Sequence, residues 1–490
     1  MGGEPVTRPF PAVSEAKTYI AGKWLDGEQK QVLRTPIDGS EATVVWSSSV
    51  AEAGEAVEAA DEAWRAWRKV PAFERARLLH LLADLVHGRQ DDLTTQMVVE
   101  TGKLARESRA EVGQSVDILH ICAEEAKRIA GEGVPMDALA GGAGRLGFTL
   151  RVPLGVVVGI TPFNVPISAA CHKLGPALAA GNTFVLKPHP HGSGVATLFA
   201  QLSEEAGIPA GVFNLVQGGP DVGRALVAHP AVRLITFTGS ARAAEQIASE
   251  AGLKQTLFEL GGIGPTIVHR DADLALAVSQ TVVAAFALTG QSCASTQRIF
   301  VHQDVSSEFT RRFVDAVREV KPGDPFDEAS GIGPLVSEEA ATRVADWVSE
   351  AVTAGAKLLC GGGRQRAYLE PTVLAEPEAT SRVVCEEVFG PVVSITAYSR
   401  FEDVVALANG TPGGLKAGVF TSSLAVALLA VTELQFGSVN INAPSRFRLA
   451  HEPYGGVKQS GWGREGPLYA VRAMTAERMV SFTPVDRPEG

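Results

Sequence analysis

Only five cysteines occur in 490 residues (Cys122, Cys171, Cys293, Cys360 and Cys385), and no two form a CxxC pair. That scatter excludes a disulfide scaffold and gives no support to a zinc or dithiol redox motif. No uninterrupted apolar run reaches the roughly 18 residues that a membrane span requires. Basic charge is short as well: Lys and Arg number 44 against 55 Asp and Glu, a net charge of −11. A nucleic-acid binder needs a basic face to neutralise phosphates, and this balance runs the other way. Gly (51) and Pro (28) follow no period, which excludes collagen-like and low-complexity chains. The first residues, MGGEPVTRPFPAVSEAK, hold no apolar core of the signal-peptide kind, and Val6 stands where a myristoylation signal wants Ser or Thr. The expectation is a soluble cytoplasmic protein with no membrane, nucleic-acid or metal partner.

What is present points to a large α/β protein. Apolar residues make up 45% and charged residues 20%, so cores are easily filled, and the length allows about two to four domains. From Val50 to about Ala130 the apolar spacing is helical, opened by Ser49 and Glu52 as a capping box. Ala138–Gly147 is glycine-rich and reads as a flexible connector into the strand-like run Phe148–Ile160. Short apolar strands at 156–160, 183–186, 212–216 and 234–237 then alternate with helices, which predicts parallel crossovers in a doubly wound sheet. A similar alternation from Asp271 to about Gln435 predicts a second α/β domain. Gly142, Gly144 and Gly147 fit GxGxxG, but they precede a strand instead of following one, so no helix N-terminus stands behind them to hold a pyrophosphate.

Five places carry chemically capable residues. Cys293 is hemmed in by small residues (Gly290-Gln-Ser-Cys-Ala), so a substrate and backbone donors can come close; a buried structural thiol is the alternative. Glu259, ending a strand-like run and followed by Gly261 and Gly262, is placed as a general base on a loop edge; a turn glutamate is the alternative. Asn164, between Pro162 and Pro166, offers a fixed amide to an oxyanion, or plain turn chemistry. Lys187 ends a parallel strand, where ribose or phosphate ligands bind, or is a surface lysine. Ser240, after Phe237-Thr-Gly239, reads as a helix N-cap whose free N–H groups suit a phosphate.

Taken together, these segments resemble the aldehyde dehydrogenase superfamily over nearly the whole chain. The likeness is carried by ETGK (100–103), ITPFNVP (160–166), HKLGPAL (172–178), GNTFVLKP (181–188), FTGS (237–240), FELGG (258–262), GQSC (290–293), EEVFGPV (386–392) and PYGGVKQSGWGRE (453–465). The resemblance implies Cys293 as nucleophile, Glu259 as general base, Asn164 with the Cys293 backbone N–H as oxyanion donors, and Lys173 and Glu465 in proton relay. It implies dinucleotide contacts at Ile160, Thr161, Pro162, Phe163, Lys187, Gly219, Phe237, Gly239, Ser240, Leu260, Glu387 and Phe389, with NAD or NADP as cofactor. It further implies a dinucleotide-binding domain over 1–130 and 151–261, a catalytic domain over 262–465, and a small β oligomerisation arm over 131–150 and 466–490 that builds a homodimer or homotetramer.

The implied reaction takes a small aldehyde to its carboxylic acid. The presence of Glu259 speaks against the branch that passes the acyl group to coenzyme A; that branch and a catalytically silent member of the fold are the competing readings. Some positions depart from the family pattern. Pro190 stands where a glutamate usually binds the adenosine ribose, which admits NADP, with His189, His191 or Arg242 within reach of its phosphate. Ile263 and Ser295 are unusual but remove no catalytic atom. Phe163 replaces the commoner Trp, and with Phe286 is a candidate apolar wall for substrate. The stretch 440–451 resembles the loop of the lactaldehyde and glyceraldehyde dehydrogenase-like branch; Arg446 and Arg448 in it are candidates for an anionic group, or ordinary surface arginines.

Overall fold

The computed structural model describes residues 14–483. The segment read for targeting signals, and the outer ends of 1–130 and 466–490, lie outside them. The Ser49–Glu52 capping box is present and starts the helix Val50–Trp67, with the Ser49 N–H donating to Glu52 at 2.7 Å. Helices Ala72–Gly88, Gln90–Thr101 and Ala105–Ala126 follow, and the leucine stripe Leu78, Leu79 and Leu82 is buried in the largest apolar cluster. None of the described helices is long and apolar enough to cross a membrane.

The alternation then builds a sheet. Val156–Ile160, Thr183–Lys187, Phe213–Leu215, Val232–Gly239 and Gln255–Leu260 pair in parallel. Val156–Ile160, Thr183–Lys187 and Phe213–Leu215 are almost wholly buried, as strands covered on both faces by helices must be. The order reverses at Val156–Ile160: the next two strands lie on one side of it, the last two on the other. Such a switch point opens a crevice at the carboxyl ends of the strands. Two edges go beyond the sequence expectation. Thr18–Ile20 and Lys23–Leu25 add antiparallel strands on one side, and Gly461–Trp462 closes the other against Glu259 and Phe258.

A second sheet runs in the order 357–360, 372–375, 392–398, 296–302, 264–268, 416–420, 438–441, parallel except at the edge strand Lys357–Cys360. A third is antiparallel and joins Gly133–Val134, Leu146–Pro153 and Thr475–Phe482. Here the expected flexible connector is instead folded. Single 3-10 turns at Met136–Ala138 and Ala140–Gly142 lead straight into Leu146–Pro153. A Cβ on Gly142 would lie 1.8 Å from the Met136 carbonyl, so this glycine serves close packing. The run 148–160 is likewise two strands, broken at Gly155, whose φ of 136° is open only to glycine.

Candidate active site

Asn164 follows the switch-point strand and precedes the helix Pro166–Ala180, all of whose residues are buried. The helix starts on a carboxylate: the Ile167 and Ser168 N–H groups donate to Glu111 at 2.9 and 3.0 Å, and Glu111 is ion-paired with buried Lys103. The Asn164 amide donates to the Gln291 carbonyl at 2.8 Å, tying this loop to the cysteine segment. Its second amide hydrogen is left for a ligand.

Cys293 is presented by a turn in which Leu288, Thr289 and Gly290 all have positive φ (56°, 56° and 71°). Two non-glycine residues in that region are strained, and the surroundings hold them there. The Leu288 N–H donates to Glu107 at 2.8 Å, and the Thr289 hydroxyl donates to the Gly333 carbonyl at 3.2 Å. Gly262 passes so close that a Cβ would sit 2.6 Å from the Cys293 carbonyl. The sulfur lies 3.1 Å from the Tyr454 hydroxyl. Burial, then the nearby Glu259 carboxyl, push the thiol well above its ordinary range.

Glu259 does not stand on a loop edge as expected. It lies inside the strand Gln255–Leu260, paired with Thr238 on one side and Gly461 on the other, and is 4% exposed. Loss of water, with Glu465 nearby, raises its carboxyl to about 7, and its Oε1 has no protein partner. Lys173 is wholly buried and donates to Glu465 (2.5 Å) and the Thr238 hydroxyl (2.7 Å). Burial pushes Glu465 up, but Lys173 and the other cationic groups outweigh it and hold the carboxyl at about 2.

Two cavities meet at Cys293. One, about 530 Å³, is lined by Ile160, Thr161, Pro162, Phe163, Lys187, Phe237, Gly239, Ser240, Leu260, Glu387 and Phe389, together with Asn164, Glu259 and Glu465. Every expected dinucleotide position is there except Gly219, which is the N-cap of the helix Pro220–Ala228. The residues fit such a ligand. Burial lowers Lys187 to about 8, and its ammonium reaches only its neighbour's Pro188 carbonyl (3.2 Å). Glu387, raised to about 8 by burial, accepts only from the Gly262 N–H (3.2 Å); both are left free for hydroxyl or phosphate oxygens. Ser240 caps its helix as expected. His189 and His191 do not supply positive charge to a phosphate: burial lowers both, the His189 Nδ1 accepts from the His191 N–H, and His191 Nδ1 contacts the Glu100 carbonyl at 2.9 Å.

The other cavity, about 780 Å³, reaches Cys293 from the opposite side and is lined by Phe286, Arg106, Arg446, Arg448 and Tyr454 among others. Phe163 is absent from it and packs edge-on against Phe389 in the first cavity, so of the two candidates Phe286 lines this cavity, beside Val282, Val283 and Leu288. Tyr454, His172 and Arg448 line both cavities at their junction. The sequence marked Tyr454 and His172 only as members of matching blocks, without a role.

The aldehyde dehydrogenase family model matches residues 24–480. The chain belongs to the aldehyde dehydrogenase family. It is 41% identical to the 3-sulfolactaldehyde dehydrogenase of Priestia aryabhattai over 96% of this chain and 98% of that one. Among solved structures, aldehyde dehydrogenase 21 from Physcomitrella patens with its reaction product succinate matches with a TM-score of 0.95 at 33% identity, covering 97% of this chain and all of that one. The NADP-dependent glyceraldehyde-3-phosphate dehydrogenase from Bacillus halodurans with NADP matches with a TM-score of 0.93 at 33% identity, over 96% and 99% of the two chains. The protein is therefore an oxidoreductase that takes aldehydes to acids with NAD or NADP.

Proposed function

We propose that this aldehyde dehydrogenase oxidises a small aldehyde bearing an anionic group, through a covalent intermediate on Cys293. The observation that carries this is the Cys293 sulfur at the meeting point of two cavities, one suited to a dinucleotide and the other bearing arginines. Arg446 makes no hydrogen bond or ion pair among the described residues, and its buried Nε, like that of Arg448, has no partner. A carboxylate or sulfonate would satisfy both. The relative named for 3-sulfolactaldehyde and the structure holding succinate are in keeping with such a group.

The residues divide the work as follows. The Cys293 thiolate attacks the aldehyde carbon, and the free Asn164 amide hydrogen stabilises the oxyanion of the thiohemiacetal. When bound, a nicotinamide would supply the hydride acceptor; loss of hydride from the thiohemiacetal carbon would leave a thioester on the Cys293 sulfur. Glu259, with a carboxyl near 7 and a vacant oxygen, takes a proton from the water that hydrolyses it. Lys173 and Glu465 keep the floor of the site charged and connected. Ile160–Phe163, Lys187, Phe237, Gly239, Ser240, Leu260, Glu387 and Phe389 would hold the dinucleotide. The sheet containing Val156–Ile160 is then the dinucleotide-binding part, and that containing Thr296–His302 belongs to the catalytic part. The three-stranded sheet, with Leu146, Leu150, Met479 and Phe482 exposed, is the assembly arm of a homo-oligomer.

A panel of anionic and neutral aldehydes, assayed by NADH and NADPH formation, tests the reading. Activity should favour the anionic members, vanish in Cys293→Ala and lose at least tenfold in kcat/KM in Arg446→Met, chiefly through KM. The product should be the free acid without added coenzyme A. Equal rates on neutral aldehydes would overturn the substrate class, and an active Cys293→Ala would overturn the mechanism.

A further inference from the structure

We propose that the Tyr454 hydroxyl is a catalytic hydrogen-bond donor to the Cys293 thiolate, held on the sulfur by Arg448 and Lys416. The proposal rests on Cys293 being the nucleophile.

The geometry is built, not incidental. Tyr454 Oη and Cys293 Sγ are 3.1 Å apart, and Tyr454 is 3% exposed, so bulk water does not compete for the contact. The backbone of Tyr454 exchanges both bonds with Glu465: its N–H donates at 3.1 Å, and its carbonyl accepts at 2.6 Å. The ring is held by cations. The Arg448 guanidinium carbon lies 3.6 Å from the ring centroid, and the Lys416 ammonium lies at 5.5 Å. Lys416 is itself 1% exposed and donates to the Phe447 carbonyl. Arg448 is fixed in turn by His172 Nε2 at 3.0 Å. Two cations with no anionic side chain closer than the 4.0 Å contacts to Glu452 and Glu465 therefore surround the ring that touches the sulfur.

The chemistry gives the contact a direction. A thiolate has lone pairs and no hydrogen, so it can only accept, and the tyrosine must donate. A hydrogen bond to an ionised acceptor is roughly twice as strong as one between neutral groups. The contact therefore favours the ionised sulfur over the thiol. Tyrosine suits this task because burial, followed by the charges of Cys293 and Glu259, keeps its own proton in place. On ionisation the Cys293 proton passes to a Glu259 oxygen. The S–H bond breaks, a neutral carboxyl forms, and Tyr454 retains its O–H; Glu259 gives this proton up to solvent before it takes one from the hydrolytic water. Neutralising Glu259 also removes the charge that opposes the thiolate. Asn164 serves a different atom, since its free hydrogen is directed to the substrate oxyanion.

This role has a kinetic signature that a packing role lacks. Losing one charge-assisted donor raises a thiol by about one pH unit. Below that midpoint the thiolate fraction falls tenfold, but the more basic sulfur is a better nucleophile, by a factor of about 10 to the power 0.4–0.5 per unit. Tyr454→Phe keeps the ring beneath Arg448 and removes only the hydroxyl. Exchange of the enzyme's thiols with dithiodipyridine is followed from pH 5 to 10, with Cys293→Ala subtracted for the other four cysteines. The expected result for Tyr454→Phe is exchange about threefold slower at pH 7, with the rise toward the plateau displaced about one unit to higher pH. The acid limb of kcat/KM should shift by the same amount. Lys416→Gln, which leaves the hydroxyl in place, should move the midpoint upward by less. Exchange in Tyr454→Phe as fast as in the wild type at pH 7, or an unshifted acid limb of kcat/KM, overturns the proposal while Cys293→Ala remains inactive. If Cys293→Ala still oxidises aldehydes, the nucleophile assignment itself has failed.

Discussion

Lys173→Met removes the cation closest to Glu465, and the cost can be worked from the site. Lys173 is wholly buried and bonds Glu465 at 2.5 Å, while the next cation, Arg448, is 4.0 Å away. Burial pushes Glu465 up, yet it sits at about 2 against an ordinary 4.5. Breaking a buried pair from one side costs about 3–5 kcal/mol, because the remaining charge is left without compensation. A loss of about 3–5 kcal/mol is therefore expected at pH 7.5, read by urea unfolding with tryptophan fluorescence. The pH dependence follows from the sign of the shift. In the wild type the contribution of Glu465 is present above its unfolded pKa and fades as pH falls from 4.5 toward 2. In the variant the carboxyl rises above its unfolded value, so protonation relieves it, and the gap between the two proteins narrows toward acid. Adding Glu465→Gln removes the orphaned charge and should recover at least half of the loss. A gap under about 0.5 kcal/mol at pH 7.5, one that widens in acid, or a double variant no better than the single would refute the reasoning.

Glu259→Gln should slow the burst, because the Cys293 proton loses its acceptor, and slow hydrolysis more, giving at most one NADH or NADPH per site, a steady rate at least about 100-fold lower and an acyl adduct visible by intact mass. Because Glu259 titrates at about 7, wild-type deacylation should climb with pH through that point, and the climb should be absent in the variant. Pro190→Glu should lower kcat/KM with NADP tenfold or more and leave NAD nearly unchanged if residue 190 stands by the adenosine ribose as the resemblance implies, since a carboxylate there repels a 2′-phosphate; equal loss with both cofactors would show mere distortion. Gly262→Ala drives a methyl against the Cys293 carbonyl, so kcat should fall at least tenfold while circular dichroism reports an intact fold.

How far the sequence could be read depended on chain distance. Lys187, Asn164 and Ser240 were legible because each sits where a strand ends, and that local pattern reveals the crevice. Cys293 stood out through its small neighbours. Glu259 was recognised but assigned to a loop, because the strand that covers it, Gly461–Trp462, arrives from far down the chain. The same remoteness hid Tyr454, whose contact with Cys293 spans 161 residues. Lys103 and Glu111 are eight residues apart and drew no reading as a pair; only the fold shows the N-terminus of Pro166–Ala180 resting on the Glu111 carboxylate. The stretch 138–147 misled for a different reason: glycine permits both mobility and tight packing, and only the Met136 carbonyl beside Gly142 decides between them.

The late arrival of Tyr454, Gly461 and Glu465 has a consequence during synthesis. A growing chain would emit Cys293 well before the segment that completes its surroundings. At ribosomal speeds of about 5–20 residues per second, the interval to Glu465 is roughly 10–35 s. Through that interval the thiol stands beside an unclosed sheet edge and an uncompensated Lys173, so nascent polypeptides are expected to be chemically inert toward aldehydes until translation is almost over.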